Sequence, residues 1–522
     1  MKLIKIFPDM VQIKSSDKEF SKCHLNDLIK ISDGTVDLVT MIYSLEDTDA
    51  DMPMVDDSFF AGFDLAPVKT ISCNIIGSIV NGKFTNATDT YPTTNVTAEI
   101  IEGKEFEKML YRSNASKFKL GCYANYKCAA MVDGNKFYQR HSCIVGNTGS
   151  GKSETVAKIL EETSKNTNCN IVVFDIHGEY SKLSYVDNIK VGTDDFSFPI
   201  WMFGFSDMAL NILKIKEESS TVVMSALRKS YYMCCHDGNE SKPLYFNFET
   251  LLRNMSALNN ELVGTGEFYK TGEKAGQEKM AKGDYNGKLS NIINTMENLY
   301  KDKRYSFLFV DKHQDYLCDV MNRVMGCHKP VKNIDLSDIP HDISVLIIGV
   351  ITKLIYNLQL MQRTTDIKPI TLVCDEAHVY IPVDFQLSSS QRRMVEIFEN
   401  IAKEGRKFGI TLFVASQRPS ELNKTIMAQC ANYIVMKLNN ENDKTMMKGI
   451  MADGSSGVIE TTTMFSPGDA LVIGDCLPIP LKVHVDLAEE RPQSKTINFW
   501  DEWKKVKAEL DCSKYVDDYL KN

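Results

Sequence analysis

Apolar and polar positions along this 522-residue chain change rhythm several times. Lys2-Leu3-Ile4-Lys5-Ile6 alternates with period two, and Thr35 to Ile42 is dense in β-branched and apolar residues. Ile71 to Val80 ends at Asn81-Gly82, a hairpin turn signal. Residues 1 to about 130 thus predict short strands forming a small β-barrel domain. After two more strands near Tyr123 to Met131 and Phe137, compact apolar runs recur at Cys143 to Val145, Ile171 to Phe174, Ile370 to Cys374 and Ile410 to Ala415, with a further strand expected at Val331 to Leu336. Runs this short and this apolar fit strands of a parallel α/β sheet. Residues of about 205 to 330 predict a helical insertion, and Ile343 to Met361 a long apolar helix. Gly264 to Lys288 lacks apolar periodicity and is expected as a mobile loop. Its lysines at 270, 274, 279, 282 and 288 either follow a phosphate backbone or sit in solvent, with solvent favoured. The tail 488–522 is charged and helical, with Trp500 and Trp503 at i, i+3 forming one docking side.

Length and composition narrow the class. The chain is too long for one hydrophobic core, so two domains, or one with a large insertion, are expected. With 43% hydrophobic and 25% charged residues it has a globular composition. No apolar run reaches the roughly 18 residues a membrane span needs, and the first ten residues are too short and too interrupted for a signal peptide. The 14 cysteines are scattered without C-x-x-C spacing, which points to reduced thiols and a cytoplasmic protein. A net charge of −9 argues against coating nucleic acid with the whole surface, but leaves room for a basic channel. The acidic stretch from Glu46 to Asp57 fits a solvated loop better than a metal site.

The chemistry begins at His141 to Glu161. An apolar strand leads into Gly146-Asn147-Thr148-Gly149-Ser150-Gly151-Lys152-Ser153, which matches G-x-x-x-x-G-K-[ST], and a helix opens with Glu154. The glycines let the backbone curl so that amide N–H groups and the helix N-terminus cradle phosphates. Lys152 is placed to reach the β- and γ-phosphates of ATP, and Ser153 to ligate Mg²⁺. The run Ile370 to Cys374 ends in Asp375-Glu376, the acids a phosphate-loop ATPase needs to hold its Mg²⁺ shell and polarise water. Gln417 follows another strand and suits a γ-phosphate sensor. Asp175, His177 and Glu179 follow the strand at 171–174 and are further candidates, including for the base, although Asp175 could instead cap the following turn.

In order, RHSCIVGNTGSGKS, FDIHGEY, DEAH, EGRKFGITLFVASQRPSEL and SPGDALVIG resemble the HerA family of the FtsK–HerA ATPases, over about Leu120 to Leu487. The DEAH letters also suggest a DEAH-box RNA helicase. The spacing of over two hundred residues from the phosphate loop, an additional core strand between, and no second helicase-type domain oppose that. The resemblance implies a RecA-like ATPase core at 131–487 behind a HAS-barrel-like domain, and a homo-hexamer with double-stranded DNA in its channel. It implies Glu376 as base, Asp375 as metal ligand and Gln417 as sensor. Arg406 is then the arginine finger from the next subunit. Arg140 is either a second interface arginine or an ordinary surface arginine. Arg392 and Arg393, in an expected loop Pro382 to Arg393, are candidates for the DNA channel, or for plain subunit contacts. The resemblance further implies a partner nuclease or sirtuin-like, NAD-consuming effector, in defence against phage. The competing class is a ring scaffold that uses ATP to assemble and activate that partner.

Overall fold

The computed structural model describes the chain except residues 49–67, 81–82, 86–87, 89, 95, 111–115, 217–220, 236–238, 241, 327, 363–366, 384–386, 388, 451–455, 478, 495–497, 506–511 and 522. It divides into two compact units. The first comprises Met1–Cys169, Thr371–Val383 and Ile401–Pro492; the second comprises Asn170–Ile370, Asp384–Asn400 and Gln493–Asn522.

In the first unit, the N-terminal alternation produces an antiparallel sheet ordered Lys2–Ile6, Met10–Ser15, Val68–Val80, Asp37–Thr48, Leu28–Ser32, Ala98–Ile100. Its two ends meet. Lys2 bridges Thr97, Leu3 donates to the Val96 carbonyl at 3.1 Å, and Ala98 donates to the Met1 carbonyl at 3.0 Å. The inward residues Leu3, Val11, Ile13, Ile29, Ile31, Leu38, Ile42 and Ile71 pack into one apolar core. Asn81 and Gly82, the hairpin signal, lie outside the described residues, as does most of the acidic stretch. Glu46 and Asp47 are not in a loop: they continue the strand Asp37–Thr48. Val80 and Lys83, flanking the turn, pair as a hairpin requires.

The same unit carries a strand path ordered Ile370–Cys374, Ile410–Ser416, His141–Val145, Cys430–Val435, Asp469–Gly474, Lys482–Val485, Lys117–Tyr123, Ala129–Asp133. His141–Val145 runs parallel to Ile410–Ser416 and Cys430–Val435 on its two sides and is buried throughout, which explains its unbroken apolar centre. The expected boundary at 130 is corrected here. Lys117–Tyr123 and Ala129–Asp133 pair with each other and with Lys482–Val485, not with the N-terminal sheet.

The second unit is built on parallel strands ordered Val186–Lys190, Val331–Asp335, Ile171–Asp175. Helices Thr221–Cys234, Phe248–Asn259, Ser290–Lys301 and Tyr316–Met325 form the expected insertion. The mobile loop expected at 264–288 is corrected: Leu262–Phe268 and Glu278–Lys282 pair as an antiparallel hairpin, with Leu262, Val263, Phe268 and Met280 exposed. Alternation there is weak because both faces meet solvent, so no periodicity marks the strands. The expectation of no membrane-length apolar run also needs correction. Helix His341–Met361 is long and apolar enough to cross a membrane. Ile343, Ile347, Ile348, Ile351 and Ile355 are buried within the protein, so it serves as a core helix. Arg392 and Arg393 do not lie in a loop. They sit in the first turns of helix Ser389–Glu404, because the amphipathic pattern begins before Met394. In the tail, Phe499–Lys505 and Ser513–Lys521 are helical, with Trp500 and Trp503 exposed.

Candidate nucleotide site

The phosphate loop is braced before any ligand arrives. Gly146 N–H donates to the Ser416 carbonyl at 3.3 Å and Asn147 N–H to the Lys437 carbonyl at 2.9 Å, tying the loop to strand Ile410–Ser416 and to the segment just past Cys430–Val435. Gly149 and Gly151 adopt φ of 76° and 103°, the left-handed region that glycine occupies without strain. At Gly146 a Cβ would lie 2.7 Å from Met436 Cβ and 2.7 Å from Ser150 Oγ. Gly146→Ala is therefore expected to distort the loop and weaken nucleotide binding at least tenfold, read by titration calorimetry. Helix Lys152–Asn166 starts immediately at Gly151, leaving its first amides and positive dipole end toward the loop. Lys152 is buried, while Ser153 and Glu154 are half-buried on the first turn.

The acids arrive from Ile370–Cys374. Asp375 and Glu376 are both buried. Glu376 holds φ 45°, ψ 44°, a conformation costing a non-glycine residue on the order of 1 kcal/mol or more, of the kind that collects at working sites. Tyr380 Oη donates to the Asp375 carbonyl at 3.0 Å and steadies the turn. Gln417, at the end of Ile410–Ser416, spans the site: its Nε2 donates to Glu376 Oε1, and its Oε1 accepts from Thr148 Oγ1. Glu376 Oε2 is buried with no hydrogen-bond donor and lies 3.4 Å from His378 Nδ1. Burial pushes the His378 imidazole below its ordinary value despite Glu376 opposing, and the Lys152 charge adds to that fall. His378 thus sits beside Glu376, with Ser416 Oγ 3.3 Å from its Nδ1. Sequence reasoning passed over His378 in this role, although it stands in the same DEAH run. It also missed the Thr148–Gln417–Glu376 chain, since hydrogen bonds between residues 269 apart leave no local signal.

Asp375 and Ser153 suit an oxygen-ligated Mg²⁺ that would accompany the triphosphate and supply charge neutralisation, which leaves the undonated Glu376 oxygen for the base.

Asp175, His177 and Glu179 belong to the second unit. Asp175 is committed locally: its carboxylate accepts from Glu179 N–H and Tyr180 N–H at 3.0 Å each, and from Asn333 Nδ2 at 3.0 Å. Burial raises its pKa against those bonds. A carboxylate capping two amides of its own turn is a poor base, so this geometry favours the capping alternative and argues against Asp175 as base. His177 is exposed and Glu179 half-buried. Lys353 and Arg393 lend their charge to the half-buried Asp207 carboxyl, whose pKa desolvation nonetheless raises. Arg392 is exposed.

Arg140 and Arg406 share a cleft of about 360 Å³ lined also by His141, Lys403, Glu404 and Lys407. Both arginines are exposed, and Arg140 pairs with Asp475 at 2.5 Å. The cleft lies at the start of His141–Val145, whereas the phosphate loop leaves its far end. Five residues of strand separate them by roughly 15 Å. His141 anchors this end: its Nδ1 accepts from Leu412 N–H at 3.0 Å, and burial, with Arg406 nearby, depresses its pKa to about 4. An unfolded chain would bind a proton at His141 near pH 6.5, while the folded one resists it. Stability is then full above pH 6.5 and falls as pH drops toward 4, by on the order of 3 kcal/mol for this group. Thermal melting between pH 7 and 4.5 should lose that part of its slope in His141→Asn.

A nucleotide-cradling loop on a central parallel strand, two acids on a strand of the same path and a Gln between them define a P-loop nucleoside-triphosphatase of α/β class. Comparison with known proteins sharpens the class. A family model described as the central domain of helicase HerA matches residues 118–355, starting at the strand that the sheet pairing assigns to this core. A probable helicase of Methanocaldococcus jannaschii is 24% identical over 378 residues, 72% of this chain and 67% of that protein. A DNA double-strand break repair helicase HerA of Sulfurisphaera tokodaii is 26% identical over 381 residues, 71% and 70% of the two chains. A protein of the same name from Sulfolobus acidocaldarius is 23% identical over 507 residues, 93% of each. The chain is similar to HerA-like P-loop ATPases.

Proposed function

We propose that the chain is an ATP-hydrolysing motor that moves double-stranded DNA, working as a homo-hexameric ring whose hydrolysis sites form between subunits. The observation that carries this reading is the split of the catalytic set along one strand. Lys152, Asp375, Glu376 and Gln417 gather at its phosphate-loop end, while Arg140 and Arg406 sit exposed at the other, roughly 15 Å away. Arginines so placed cannot serve their own γ-phosphate but can enter a neighbour's site. The curated relatives named as DNA repair helicases support DNA as the substrate. DNA-stimulated ATPase activity of the purified chain is the test, and ATPase activity indifferent to DNA would favour the ring scaffold instead.

The N-terminal sheet, whose ends hydrogen-bond to one another, is read as a small closed barrel that carries partner contacts and no chemistry. The partner expected from the family resemblance is a nuclease or sirtuin-like enzyme. Deleting 1–110 should abolish capture of a co-expressed partner of that kind while leaving ATP affinity within threefold, measured by pull-down and calorimetry. The channel arginines are Arg392 and Arg393, with Arg392 preferred, since the Arg393 charge acts in part on Asp207. Arg392→Ala should weaken DNA binding and flatten its salt dependence, with basal hydrolysis unchanged.

A further inference from the structure

The phosphate loop has a second rim that the hydrolytic residues do not use. Strand Ile410–Ser416, which delivers Gln417, flanks His141–Val145 on one side; Cys430–Val435 and then Asp469–Gly474 flank it on the other. Val435 pairs with Leu471 antiparallel, so the start of Asp469–Gly474 stands level with the phosphate loop. There the turn Ser466–Asp469 docks onto the loop. Gly468 N–H donates to the Ser150 carbonyl at 2.9 Å, and a Cβ on Gly151 would lie 3.2 Å from Gly468 N. Gly468 has φ 87°, and the His484 ring covers it: a Cβ there would sit 3.4 Å from His484 Cε1.

His484 is aimed. Its Nδ1 lies 2.8 Å from Oδ1 of the buried Asp469, whose Oδ2 accepts from Ser466 N–H at 3.0 Å and pairs with Lys482 Nζ at 2.8 Å. Burial raises the Asp469 carboxyl, but Lys482, His484 and the Ser466 amide outweigh it and hold the group below its ordinary value. An ionised Asp469 fixes the proton on Nδ1 and leaves Nε2 as an acceptor, on a side chain still 60% exposed. A fixed imidazole in solvent beside a phosphate loop has no structural duty that its exposure explains.

The direction of a bound triphosphate supplies one. Thr148, Gln417 and Glu376 mark the γ-phosphate rim, and the loop amides at the helix start hold the α- and β-phosphates. The nucleoside must leave from the other rim, past Gly151, where Gly468 and His484 stand. Resting on the nucleotide-binding reading above, we propose that His484, held by Asp469, contacts the nucleoside half of the bound nucleotide and sets affinity for it.

The test compares ATP with inorganic tripolyphosphate, each with Mg²⁺, by titration calorimetry on the full chain. His484→Ala should bind ATP about tenfold more weakly, the loss of one good polar contact, while tripolyphosphate binds as in the parent. The KM for ATP should rise by a similar factor with kcat within twofold. His484→Gln, which can keep the bond to Asp469 and an outward polar atom, should recover part of the affinity. Repeating the pair with 2′-deoxy-ATP locates the contact: a vanished difference assigns it to the 2′-hydroxyl, a retained one to the base or the rest of the sugar. Equal weakening of ATP and tripolyphosphate, or no change in either, overturns the proposal. A parent chain that binds neither ligand overturns the nucleotide-binding reading and this proposal together.

Discussion

Glu376→Gln will bind ATP with parent affinity and fail to turn it over. The carboxylate is buried, receives Gln417 Nε2 on one oxygen and keeps the other without a donor, 3.4 Å from His378. That free oxygen is where an attacking water would surrender its proton. An amide at the same position keeps shape and burial but offers no base. Positioned general bases are worth about 10²–10⁴-fold, so kcat should fall by that range in a steady-state phosphate-release assay. Binding should survive because Lys152, Ser153 and the loop amides remain, whereas Lys152→Ala should lose binding and turnover together. The competing base at Asp175 is already occupied by two backbone amides and Asn333. Parent-like turnover in Glu376→Gln would nonetheless return the base to the 175–179 turn.

The residues legible from sequence were those whose chemistry is written in contiguous letters. Gly146 to Ser153 and Asp375-Glu376 each follow an apolar run, and a buried strand can place such a motif in only one way, at its end. Arg140 and Arg406 were legible singly through resemblance, but not their shared cleft, because nothing local links positions 266 residues apart. Boundaries failed where pairing is decided at long range. Lys117–Tyr123 looks like any N-terminal strand until Lys482–Val485 arrives to pair with it. The hairpin at 262–282 failed for the opposite reason: with both faces in solvent its sequence carries no buried stripe. Arg392 and Arg393 were misplaced because polar first turns of an amphipathic helix resemble a loop. His484 went unremarked because its orientation depends on Asp469, one strand away, and its position on a glycine turn docked to the phosphate loop.

In the proposed ring, Arg406→Ala should preserve ATP binding and assembly yet remove hydrolysis, and mixing it with Lys152→Ala protein should bring part of the activity back. Arg406 stands on the short turn Gly405–Phe408 that leads into Ile410–Ser416, so it is fixed to the same strand that carries Gln417 at its other end. It is exposed, in a cleft with Arg140, Lys403 and Lys407. Four cations at one opening repel one another. Glu404 within the cleft and Asp475 on Arg140 offset only part of that repulsion, so an incoming triphosphate would be strongly attracted. An arginine supplied this way is worth about 10³–10⁵ in kcat where it stabilises the transferring phosphoryl group, and that is the loss expected for Arg406→Ala. Neither single variant can hydrolyse in a homogeneous ring. In a mixed ring, a subunit with intact Lys152 can sit against one with intact Arg406, and that interface is whole. Activity should therefore peak at intermediate mixing ratios, measured as phosphate release against composition at constant total protein. A flat, inactive profile across all ratios, with mixed rings confirmed by mass, would place Arg406 outside the neighbour's site and leave Arg140 as the arginine to test next.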